Sequence, residues 1–212
     1  MSRCSLSAAL AAGTLVVAAC GGPLTGAQTF DGTYRPGLFE TPPQLPRCAV
    51  LPSLAVTAAA VHRQDVGERF EEDKPAVRYP IAMRGDVARY VDDALKASLR
   101  RAGPAPEGRA VLVRVEVASV QLVEKTFHNA EYKGSVTLDV TVPAADGTVC
   151  WTGRIVGDGE NYGRAGSEEN YEETLARTVD AAARTLLRDR GFGDALCGQC
   201  TAAAQRVSTT TP

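Results

Sequence analysis

Between Ala110 and Val156 apolar and polar residues alternate with a period of two, and on either side of that block apolar positions return every three to four residues. The period of two predicts strands, and the longer period predicts helices that bury one face. In AVLVRVEVASVQLV (110–123), Val111, Val113, Val115 and Val117 share one face, but Val120 and Leu122 fall on the other. The frame therefore slips by one near Ala118-Ser119, and a β-bulge absorbs the slip. AEYKGSVTLDVTV (130–142) alternates strictly, with Tyr132, Val136, Leu138, Val140 and Val142 inward. Asp146-Gly147 supplies the positive φ of a tight turn, and TVCWTGRIV returns with Val149, Trp151 and Ile155 on the core side. These three strands form an antiparallel meander.

The first helix spans Asp86 to Ala102, where Val87, Val91, Ala94, Leu95 and Leu99 line one side and Gly103-Pro104 ends the run. The second starts after Ser167 as N-cap, with Glu168 and Glu169 at the positive end of the helix dipole. Its buried stripe is Tyr171, Leu175, Val179, Ala182 and Leu186, and Gly191 suits the C′ position. CAVLPSLAV (48–56) reads as a first strand, and the charge-dense segment 62–74 as an exposed loop and plausible docking surface, with an edge strand near Val77 to Ala82. The expected fold is α+β in two layers: a mostly antiparallel sheet of about four strands with two long helices packed on one face.

The N-terminus changes the picture of where this domain resides. After Arg3 a charge-free apolar run extends to Ala19, about sixteen residues, too short to span hydrocarbon as a helix and of the length of a signal-peptide core. It ends in Val17-Ala18-Ala19-Cys20-Gly21, which resembles the lipobox of bacterial lipoproteins. That resemblance implies cleavage before Cys20, diacylglycerol on its thiol and acylation of the new amine. Several acyl chains anchor stably where one is marginal. Gly21, instead of Asp, follows the cysteine, and the resemblance to enterobacterial sorting rules then implies the outer membrane. The organisation expected is a signal peptide over 1–19, a Gly/Pro-rich tether over 20–46, one domain over 47–192, and a C-terminal tail over 193–212 that carries a CxxC pair.

A net charge of −2 with both signs interspersed leaves no basic stripe, which argues against nucleic acid as a partner. Once Cys4 has left with the signal and Cys20 is lipidated, Cys48, Cys150, Cys197 and Cys200 remain as disulfide candidates in an exported chain. Of three connectivities, Cys197–Cys200 with Cys48–Cys150 is favoured; the crossed pairings would staple the tail onto the sheet. CGQC (197–200) has the spacing of a thiol-disulfide exchange motif, but it follows the last helix instead of opening one. A structural bond is therefore favoured over redox work or a four-cysteine zinc site.

GDGENYGRAGSEENYEE (157–173) sets six acids against one arginine. It threads onto a calcium loop with Asp158, Glu160, Gly163 and Glu169 as key positions, but Tyr162 occupies a ligand position and no helix precedes it, so a solvated loop is favoured. His62 and His128 are the only histidines and lie in expected turns, outside any arrangement that pairs a nucleophile with a base. No phosphate-binding glycine loop or HExxH motif is present. No catalytic residue, metal ligand or cofactor is therefore assigned.

Residues 48–192, through VARYVDDALKASLRRAG, the meander and GENYGRAGSEENYEETLARTVDAAARTLLRD, resemble the YajG family of outer-membrane lipoproteins and the auxiliary lipoproteins of envelope ABC transporters. The resemblance implies a non-enzymatic, periplasm-facing accessory module held in the membrane by its lipid, with an envelope protein or a lipid as partner. It transfers no site residue, and the four cysteines and the charged insert depart from it. Two other readings are an envelope thiol oxidoreductase using Cys197 and Cys200, and a structural subunit of an envelope complex.

Overall fold

The computed structural model describes residues 26–35, 42–49, 52–58, 65–102, 111–127 and 129–200. In chain order the elements are β1 (Gln28–Asp31), β2 (Ser53–Ala58), β3 (Asp65–Glu71), β4 (Arg78–Arg84), α1 (Val87–Arg101), β5 (Leu112–Thr126), β6 (Ala130–Pro143), β7 (Val149–Gly163), α2 (Glu168–Arg188) and α3 (Arg190–Leu196). All seven strands join one mixed sheet in the order β1-β4-β3-β5-β6-β7, with β2 also on β5. This corrects the expectation of about four mostly antiparallel strands and two helices. The sheet has parallel as well as antiparallel pairs, and a third helix covers part of it.

The meander is as the alternation predicts, and its two irregularities have local causes. The register of β5 against β6 shifts between Val117 and Ser119. At that same point the other edge of β5 changes neighbour, pairing in parallel with β2 over Leu112–Val117 and with β3 over Leu122–Thr126. A second shift, between Val142 and Pro143, puts Val142 opposite Trp151 and Pro143 opposite Val149. It turns Cys150 into the core and leaves Val149 58% exposed, so Val149 is not on the core side as its spacing suggests.

The missed strands are those whose composition disguised them. β3, DVGERFE, lies inside the segment read as a charged loop, yet it sits between β4 and β5. β1 forms within the stretch read as tether: Phe30 is fully buried and stacks on Tyr171 with ring centroids 5.6 Å apart. Beyond β1 the described residues 34, 35 and 45 lie against the helices. Tyr34 meets Tyr90 edge-on at 5.7 Å, Arg35 lies 3.7 Å from Glu172, and Leu45 N–H donates to the Ala102 carbonyl at 3.0 Å.

The helical layer follows the periodicity. Asp86 caps α1 by accepting from the Arg89 N–H at 3.0 Å. Tyr171, Leu175, Val179, Ala182 and Leu186 are all buried on α2. Ser167 is the N-cap residue but makes no side-chain cap bond. Gly191 is not a C′ residue; it lies in α3, whose N-cap Asp189 accepts from the Phe192 N–H at 2.9 Å.

Glycines set the distance between α2 and the sheet. A Cβ on Gly157 would lie 2.3 Å from the Thr178 carbonyl oxygen and 2.4 Å from the Ala182 nitrogen. One on Gly134 would lie 2.3 Å from Thr178 Oγ1. The small residues Thr174, Thr178 and Ala182, one turn apart on α2, therefore rest almost on the backbone of β6 and β7, leaving no room for a ligand between them. α1 meets α2 around Asp180, a fully buried carboxylate paired with Arg101 and Arg184 and accepting from Ser98 Oγ at 3.2 Å.

Candidate functional site

The sheet has two faces, and the helices take one. The residues of β6 and β7 opposite α2 form a ladder of cross-strand partners: Glu131 beside Tyr162, Lys133 beside Glu160, Ser135 beside Asp158, Thr137 beside Val156, Asp139 beside Arg154. Among the described residues no helix or loop covers this ladder. Gln121, Val123, Lys133, Ser135, Asp158 and Glu160 border a shallow open depression of about 230 Å³ on it.

The face is charged but nearly neutralised in place. Arg154 holds Asp139 through two hydrogen bonds of 2.8 Å, which keep that carboxyl below its ordinary range. Lys133 lies 2.9 Å from Glu131 and 3.9 Å from Glu160. Its hydrogen bond lowers the Glu131 pKa, and the same contact raises that of Lys133. Asp158 has no ion pair among the described residues. Such a surface, flat and patterned in alternating sign, suits another protein surface better than a small molecule.

Under this face, near the C-terminal ends of β3 and β5, a buried polar cluster fixes the strands. Glu124 is fully buried. It accepts from Thr126 Oγ1 and the Gly166 N–H at 2.9 Å, from Arg69 Nη2 at 3.2 Å and from the Tyr171 hydroxyl. Burial, and then this hydrogen bond, push the Tyr171 phenol far above its usual pKa. The Tyr132 hydroxyl donates to the Arg164 carbonyl at 2.6 Å and accepts from the Ser167 N–H at 3.3 Å. The cluster thereby joins β3, β5, β6, the 164–167 turn and α2, and these contacts hold structure.

The residues singled out from the sequence fall as follows. Cys48 is bonded to Cys197 and Cys150 to Cys200, so the favoured pairing of Cys197 with Cys200 and Cys48 with Cys150 is corrected to a crossed one. The reason is geometric: α3 carries Cys197 to the N-terminal segment, while Cys200 reaches the start of β7. Asp158, Glu160 and Tyr162 are not in a loop. They occupy the outer face of β7 with Gly157 and Gly159 turned toward α2, and Gly163 ends the strand, so the calcium-loop threading has no loop to occupy. Among the described residues no three His, Cys, Asp or Glu side chains come together as metal ligands would. Segment 65–71 is a strand rather than a docking loop. Cys20 and both histidines lie outside the described residues. No helix among the described residues is long and apolar enough to cross a membrane.

Fold and cysteines together define a class: a disulfide-bonded α+β domain of the kind that folds in an oxidising compartment, compatible with the periplasm or cell envelope. No family model and no curated protein matches the chain. Among solved structures it is similar to protein XCC0632 from Xanthomonas campestris, described under the family model DUF330, with 10% identity and a TM-score of 0.49 over 76% of this chain and 92% of that one. A second, described only as an uncharacterized protein, is similar at 8% identity and a TM-score of 0.34 over 76% of this chain and 97% of that one.

Proposed function

We propose that the chain is a lipid-anchored module of the bacterial cell envelope, of the YajG-like kind, attached through Cys20 to the outer membrane and facing the periplasm. It has no enzymatic activity and binds an envelope protein through the uncovered face of β5, β6 and β7. The observation that carries the reading is this helix-free, ion-paired face. Two points support it. The close contact of Thr174, Thr178 and Ala182 with Gly134, Gly157 and Gly159 leaves no space for an acyl chain between α2 and strands β6 and β7, which favours a protein partner over a lipid. Fewer than ten residues separate Cys20 from β1, a reach of at most about 30 Å, so the lipid would hold the sheet close to the headgroups.

A photo-crosslinking side chain at Ser135, on this face, tests the reading in cells, with one at Arg188, on the exposed side of α2, as control. The expected result is a discrete adduct with an envelope protein from Ser135 and none from Arg188. Equal labelling from both positions, or none from Ser135, contradicts it.

A further inference from the structure

We infer that β7 is the seam of a homodimer, in which the edge strands of two copies pair antiparallel about a two-fold axis at Val156. β7 ends the sheet: it pairs with β6 along one edge from Val149 to Gly163, and among the described residues nothing pairs with its other edge. It is fifteen residues long and has no proline. Such an open edge invites pairing with another chain unless it is blocked.

The exposed side chains of β7 largely complement their own reversal about Val156, with Thr152 falling opposite Glu160. Val149 is 58% exposed, Val156 46% and Tyr162 65%, so apolar groups stand at the two ends and at the midpoint. Arg154 and Asp158 lie symmetrically between them. An antiparallel copy centred on Val156 brings Val156 beside Val156 of the second copy. It sets Arg154 opposite Asp158 of the second copy, twice, and lays Tyr162 over the start of the other β7, next to Val149. Asp158 lacks an ion pair within its own chain among the described residues, and Arg154, held by Asp139 at 2.8 Å, is oriented on that same face. Centring on Gly157 instead would match Arg154 with Glu160 but leave Val156 against Asp158. Both registers set opposite charges side by side, and only the one centred on Val156 also sets an apolar side chain beside an apolar one, so this register is selected. The interface is isologous and closed, which limits assembly to two copies.

The test uses the full mature chain, in detergent if lipidated. Val156→Cys should give a covalent dimer with a short thiol crosslinker, whereas Thr137→Cys, on the same face but one strand inward, should not. Asp158→Arg should weaken dimerisation at least about tenfold in sedimentation equilibrium, because it faces Arg154. The swap R154D/D158R should restore it, a result that general damage to the fold would not produce. A monomeric native chain at micromolar concentration, a reversal without effect, or a swap that fails to restore pairing overturns the inference. So does a dimer that forms only after residues 201–212 are removed, since that tail would then be what covers the edge.

Discussion

Glu124 shows how a single buried charge organises this sheet. Its carboxylate is completely desolvated and depends on Arg69, which is 1% exposed. Breaking a buried pair by removing one partner leaves the other charge uncompensated, at a cost of about 3–5 kcal/mol. Arg69→Met should lower stability by about that amount in urea unfolding, and adding Glu124→Leu should recover part of the loss. A double variant less stable than R69M would contradict this account. Gly157→Ala should destabilise by more than about 2 kcal/mol, because its methyl meets backbone atoms of α2 that have nowhere to move, while Ser135→Ala should change stability by less than about 0.5 kcal/mol. Burial holds the Glu172 carboxyl above its ordinary value of 4.5, so the folded state binds that proton more tightly than the unfolded chain. The stability this supplies is present below 4.5 and is lost as pH rises through the raised value. Glu172→Gln should therefore gain on the parent chain as pH rises above 4.5 through the raised value in thermal unfolding. Part of this was legible: once the bulge at Ala118 is placed, parity turns Glu124 inward with Val120 and Leu122. Arg69 was not, because nothing local distinguishes a buried arginine from a solvated one.

At the scale of elements, periodicity identified those whose partners lie on one side. α1, α2 and the three strands of the meander bury one face each, and their spacing says so. β3 was concealed because it is paired along both edges while carrying acids and an arginine that the sequence presents as surface. The N-terminal segment was concealed differently: β1 has four residues, and only Phe30 reveals that it is anchored. The inward Gly157 and Gly159 of β7, alternating with outward Asp158 and Glu160, resemble a loop until their contact with α2 is seen. Disulfides tie these inconspicuous pieces down. Closing loops of 149 and 50 residues, the two bonds contribute about 5 and about 4 kcal/mol in a chain-entropy account. Non-reducing peptide mapping should recover Cys48 linked to Cys197 and Cys150 linked to Cys200. A peptide with Cys197 joined to Cys200 would contradict the arrangement of α3 against β7. Cys150→Ser with Cys200→Ser should cost about 2–5 kcal/mol.

For the whole molecule the two layers divide the labour. α2 is packed against the sheet through small residues and the N-terminal segment straps the helices, whereas among the described residues the opposite face of the sheet is left to solvent with most, but not all, of its charges paired. A domain with one face packed by helices and the other uncovered among the described residues would, if acylated at Cys20 as we propose, have the form of a docking module at a membrane surface. That form depends on where the chain is processed. Intact-mass analysis of the protein isolated from its native membranes tests this most directly. The account predicts a chain that begins at Cys20 and carries the added mass of a diacylglycerol and an amide-linked acyl chain. A chain that begins at Met1, or at an unmodified Cys20 recovered in the soluble fraction, would contradict it.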